Sequence, residues 1–183
     1  MTAAAILAIS AAGFWLFGGS DYDCPGSAAA VHASCKVTAA LPTSCDAVRA
    51  EMLARVKGQF DDWHDPHNNG TYAVVDDSGS GKLSFTRLTG DRKYTDKMIL
   101  TLEGRKDSCL VRGCSESQVT SVLDFSTNFC NLRMLYCGAD DGCKTLTAGY
   151  PGSASEKEVK PSTGAGTEPS ACFHTRPQQP ARE

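Results

Sequence analysis

Nine cysteines in a chain of 183 residues constrain this sequence more than any other feature. Five of them fall between Cys109 and Cys143. Such density marks an oxidising compartment, in which disulfides supplement a modest core. Zinc is the competing use of clustered cysteines, but it favours paired spacings such as Cys-x-x-Cys, and none occurs. The expected bridges draw on Cys35, Cys45, Cys109, Cys114, Cys130, Cys137 and Cys143, with connectivity open. Whether Cys24 and Cys172 pair depends on processing near the N-terminus. An odd number of cysteines leaves one over, and Cys172 is the expected one.

The start of the chain bears on the same compartment. Residues 1–20 carry no charge, and Ala3 to Phe17 has the length of a secretory apolar core, followed by Gly18, Gly19 and Ser20. The reading is a signal peptide, or a signal anchor that keeps residues 3–17 in a membrane. A net charge of -3 and a pI near 5.8 give no broad attraction to nucleic acid.

Residues 21–44 read as a cysteine-containing linker and 45–150 as a disulfide-rich α+β domain. A helix from Cys45 to about Phe60, capped by Ser44 or Asp46, has Val48, Met52, Leu53 and Val56 on one face. Strand-like runs follow at 71–75, 82–88 and 94–102, with a short fourth at 109–112, joined by turn-forming segments. Ser115-Glu116-Ser117-Gln118 has the spacing of a capping box, with Val119, Val122 and Leu123 behind it, then Phe129, Leu132, Leu135 and Tyr136. The expected architecture is an N-terminal helix, a three- to four-stranded antiparallel meander and a C-terminal disulfide-stapled helical segment. From 151 to 183, Pro, Gly, Ser and mixed charges predict a disordered tail.

The segment from Trp63 to Cys137 resembles secreted cysteine-rich domains of unicellular algae and other protists. The residues that carry the resemblance are Trp63 to Tyr72, Tyr94-Thr95-Asp96-Lys97, Cys114 to Gln118, Leu123 to Asn128 and Tyr136-Cys137. It implies no activity and no site residues.

Asn69-Gly70-Thr71 is an acceptor sequon for N-glycosylation in a loop. His64-Asp65-Pro66-His67 is the one cluster with metal-type or catalytic chemistry, and His64 and His67 are the weak metal candidates. Pro66 removes the helical geometry that would aim both rings one way. No metal or other cofactor is expected, and no catalytic set is assembled. The sequence therefore predicts a secreted or lumenal disulfide-stabilised binding domain without catalysis of its own. Its partner would be an extracellular or lumenal protein or carbohydrate meeting the outward face of the meander, where Arg87 and Lys97 are the candidate binding residues. Two other readings stay open: a small secreted hydrolase using His64, Asp65 and His67, and a membrane-tethered accessory subunit of a larger complex.

Overall fold

The computed structural model describes residues 23–79 and 81–174, so the expected leader at 1–20 lies outside the described part of the chain. The centre of the fold is a six-stranded antiparallel sheet. Its strands are β1 (Ser34–Leu41), β2 (Thr71–Asp76), β3 (Lys82–Leu88), β4 (Thr95–Arg105), β5 (Ser108–Ser117) and β6 (Ser155–Pro161). They lie side by side in the order β2-β3-β4-β5-β1-β6. Two short helices, α1 (Cys45–Lys57) and α2 (Thr127–Tyr136), pack on one face. This corrects the expected architecture: a large sheet dominates, and a three- to four-stranded meander with a C-terminal helical segment does not describe it.

The correction begins at Cys109. The run to Ser117 is strand throughout, paired residue for residue with β4 from Arg105↔Ser108 to Asp96↔Ser117. Its odd positions, Cys109, Val111, Gly113, Ser115 and Ser117, are buried beneath the helices. The apparent capping box fails because Ser115 has a better partner inside. Its hydroxyl donates to Asn128 Oδ1 at 2.7 Å and accepts from Asn131 Nδ2 at 3.1 Å. A buried hydroxyl must find such partners, and the strand supplies them. The helix starts later, where the Asp124 carboxylate accepts from the amides of Ser126 and Asn128, each at 3.0 Å.

Two further strands lie where linker and tail were expected. In β1, Cys35, Val37, Ala39 and Leu41 point inward and are buried, a two-residue period that makes it a central strand between β5 and β6. β6, SEKEVKP, has Val159 as its single large apolar residue. It is an edge strand, and charged side chains on an edge discourage pairing with other chains. Glu156 secures it by accepting from Tyr136 Oη at 2.7 Å and pairing with Arg133. Within the expected disordered tail, residues 155–161 are therefore part of the sheet, and Cys172 is bonded to Cys130 of α2.

α1 forms as its sequence suggests. Ser44 caps it by accepting from the Ala47 amide at 3.2 Å, Asp46 lies in its first turn, and Arg55 and Lys57 lie in its last. Its buried face also holds the ion pair Glu51–Arg55, at 2.8 Å. Arg55 donates to the carbonyls of Met134 (2.8 Å) and Cys137 (2.7 Å) at the end of α2. Glu51 accepts from the amides of Leu146 (2.9 Å) and Thr147 (2.7 Å).

Four disulfides close the structure: Cys24–Cys114, Cys45–Cys109, Cys130–Cys172 and Cys137–Cys143. Cys24 and Cys172 are thus paired. Cys35, expected in a bridge, is the free cysteine and is fully buried. Its cross-strand neighbours are Ser115 on β5 and Pro161 on β6, so the sheet places no sulfur opposite it. Burial, followed by the charges of Asp124 and Glu156, pushes its thiol up to about 12. No helix among the described residues is long and apolar enough to cross a membrane.

Candidate binding site

The segment from Gly58 to Gly70 joins α1 to the edge strand β2, and hydrogen bonds anchor its backbone at several points. The Gln59 side chain donates to the carbonyls of Val56 (2.7 Å) and Tyr72 (2.8 Å) and accepts from the Tyr72 amide at 2.6 Å. The amide of Trp63 donates to the Gly58 carbonyl and that of Phe60 to the Trp63 carbonyl, both at 2.9 Å. Trp63 is buried edge-on against the Tyr72 ring, with 5.9 Å between centroids.

Beneath this turn lies a buried ion pair. Asp65 Oδ2 accepts from Arg87 Nε (2.7 Å) and Nη2 (2.6 Å), and Oδ1 accepts from the His67 amide at 2.9 Å. The guanidinium also donates to the His67 carbonyl and lies 5.7 Å from the centre of the Tyr72 ring. Burial alone would lower the Arg87 pKa, but the Asp65 carboxylate together with Tyr72 and Asp96 outweighs it, and the net direction is up. Burial pushes the Asp65 carboxyl up, with Arg87 pulling the other way. Gly70 passes so close over this pair that a Cβ there would run into the guanidinium.

The result is an open cavity of about 380 Å³, lined among others by Phe60, Asp61, Trp63, His64, Asp65 and Asn69. Phe60 is 77% exposed and has φ 75°, and Asn68 and Asn69 also have positive φ, at 56° and 49°. A left-handed backbone is rare for a bulky side chain and persists where the surroundings enforce it. Here the Trp63 turn enforces it, and Phe60 is held out in water.

The candidates from the sequence are placed differently from expectation. His64 is exposed at the cavity, whereas His67 is buried. Within hydrogen-bonding reach of His67 Nδ1 lies the Ala171 carbonyl (2.8 Å), and of Nε2 the Thr127 hydroxyl (3.2 Å). The two imidazoles do not converge as a metal pair, and Asp65 faces Arg87, so no histidine–aspartate relay assembles. Arg87 is 0% exposed on the inner face of β3, not on the outward face where a partner could meet it. The alternation Leu83, Phe85, Arg87 carries it inward with its apolar companions. Lys97 stands exposed on the other face of β4. Among the described residues, the group of metal-type donors is Cys24, Cys114 and Glu116, and its two sulfurs are bonded to each other.

A second feature escaped the sequence reading. Eight large apolar side chains stand exposed among the described residues, and six gather at one end of the sheet: Val31, Tyr94, Val119, Val122, Leu123 and Phe125. Three segments meet there. The Gln118 amide donates to Thr95 O at 2.9 Å, and the Ser121 amide to Val31 O at 3.2 Å. Asp124 fixes the loop by accepting also from the Gly166 amide at 3.2 Å, and Phe125 and Ser126 have φ of 53° and 72°. Val119, Val122 and Leu123 mimic a helix face in sequence, and their exposure follows from β5 running to Ser117.

No family model, curated protein or solved structure matches the chain. The four disulfides point to an oxidising, secretory or extracellular environment.

Proposed function

We propose that this is a secreted or lumenal interaction domain, stabilised by its disulfides, that acts by binding a protein partner at the apolar end of its sheet. The observation that carries this reading is the gathering of six of the eight exposed large apolar side chains at that end. Their segments are joined at that end by the Gln118–Thr95 and Ser121–Val31 backbone hydrogen bonds, and a concentration of exposed apolar side chains in one region marks an interaction site. The loop is fixed by Asp124 and by Cys130–Cys172 behind it, so little conformational freedom is lost on docking. The charges beside it, Asp91, Arg92, Lys93, Glu116 and Glu168, are of mixed sign. That mixture suits an apolar recess on a protein rimmed by polar groups better than an anionic lipid surface, which calls for a basic rim.

The test begins with the oxidised protein cross-linked in the fluid it is released into, the captured protein being identified, purified and titrated calorimetrically. Changing Val31→Ser and Leu123→Ser together should weaken that complex at least about thirtyfold, as loss of a central contact worth ~2 kcal/mol would. Lys97→Glu should leave it unchanged. Equal affinity of the Val31/Leu123 variant, with its melting temperature intact, would remove this end from consideration.

A further inference from the structure

The cavity at residues 58–70 has a natural occupant in the chain's own chemistry. Asn69 is one of its walls, and Asn69-Gly70-Thr71 is the one standard N-glycosylation sequon in the sequence. Among the described residues the Asn69 side chain is exposed and makes no hydrogen bond, so its carboxamide is open to modification. Phe60 lines the same cavity, its amide bonded to the Trp63 carbonyl at 2.9 Å and its backbone left-handed, with the side chain exposed. Asp61 and His64 supply polar groups at the same cavity.

We infer that Asn69 carries an N-linked sugar and that the cavity seats its first rings against Phe60. In the attachment step, the Asn69 amide nitrogen forms a bond to the anomeric carbon of N-acetylglucosamine. The bond from that carbon to a polyprenyl pyrophosphate carrier breaks, and the amide gives up one proton; a lumenal transferase and this lipid-linked donor are the co-reactants. The apolar face of a pyranose ring then covers the exposed phenyl face, which removes apolar surface from water. Its hydroxyls and acetamide meet Asp61 and His64. A volume of about 380 Å³ is within the roughly 300–1,000 Å³ typical of small-ligand sites. In the folded chain the hydrogen bonds of Gln59, Phe60 and Trp63 shape the cavity by themselves, so seating the sugar requires little reordering. This inference needs the secretory compartment of the proposed function but not its apolar docking end, so the two can fail separately.

The experiment uses the full chain secreted from a eukaryotic host. Peptide mass mapping should find the glycan on Asn69, and Asn69→Gln should abolish it. Enzymatic removal of the glycan from the folded wild type should lower the melting temperature by several degrees. In Phe60→Ala the same removal should produce no shift, and the enzyme should cut the native glycoprotein at least tenfold faster. Removal leaves aspartate, so the non-glycosylated Asn69→Asp protein serves as the charge control. An unmodified Asn69 in the secreted protein would overturn the inference. So would an equal drop in melting temperature with and without Phe60, which would show a glycan pointing into solvent.

Discussion

Replacing Asp65 with alanine tests whether the buried pair beneath the cavity organises the 58–70 segment. The carboxylate takes two guanidinium N–H groups through Oδ2 and the His67 amide through Oδ1. Arg87 already has one orphaned nitrogen, Nη1, buried without a hydrogen-bond partner. Removing the carboxylate leaves a buried cation unpaired, at about 3–5 kcal/mol, and frees one amide, at about 1 kcal/mol more. A loss of about 4–6 kcal/mol in a domain of this size corresponds to a melting temperature lower by roughly 10–20 °C. Arg87→Met should destabilise comparably at neutral pH but behave differently in acid. Burial has already pushed the Asp65 carboxyl up, and without Arg87 it takes up a proton more readily. A raised carboxyl contributes stability at low pH that is lost as pH rises through its folded value, so this variant should recover on acidification. Asp65→Ala should not recover, because arginine stays charged. The double change to Asp65→Leu with Arg87→Met should cost less than either single change. The assay is urea and thermal unfolding of the oxidised chain, followed by circular dichroism between pH 4 and 8. A loss below about 1 kcal/mol for Asp65→Ala, or a double variant as damaged as the two single losses added, would refute this reasoning.

Two other outcomes follow from the same interior. Ending the chain after Gly149 removes β6 and Cys172, so the truncated protein should lose its cooperative thermal transition; unfolding with an unchanged midpoint would contradict the place of β6 in the sheet. The Glu51 carboxyl is lowered from its ordinary 4.5: burial works against this, but hydrogen bonds from Thr147, Arg55 and Leu146 outweigh it. A depressed carboxyl contributes stability above its unfolded value that is lost as pH falls through the folded one. Stability should therefore drop below about pH 4.5, and Glu51→Gln should flatten that acid limb while lowering stability at pH 7.

Much of the fold was legible where apolar residues repeat with a clear period. The helix at 45–57 and the strands at 71–76, 82–88 and 95–105 coincide with runs visible in the sequence. β1 was legible in principle, since Cys35, Val37, Ala39 and Leu41 alternate with polar or small residues, but its closeness to the apolar run at 3–17 made it read as a linker. β6 was not: an edge strand needs little apolar surface of its own, and its place depends on pairing with β1 and on Glu156 reaching Arg133 and Tyr136. The capping-box spacing at Ser115 misled because a local helix signal lost to long-range pairing with β4. Arg87 misled for a related reason. Its alternation with Leu83 and Phe85 pointed inward all along, but a charged residue reads as exposed until Asp65, distant in sequence, is seen beside it. Phe60 left no signal, because its exposure comes from a turn closed by backbone hydrogen bonds.

The pattern of sulfur bonds tests the account most directly, because it fixes both compartment and fold. Peptide mapping of the natively produced chain, alkylated under denaturing but non-reducing conditions, should yield Cys24–Cys114, Cys45–Cys109, Cys130–Cys172 and Cys137–Cys143. Cys35 alone should carry the label, and it should resist labelling while the protein is folded, its thiol being buried and pushed up to about 12. Label spread over four or more cysteines would contradict the oxidised domain, and Cys35 found in a bridge would contradict the sheet that leaves it without a sulfur partner.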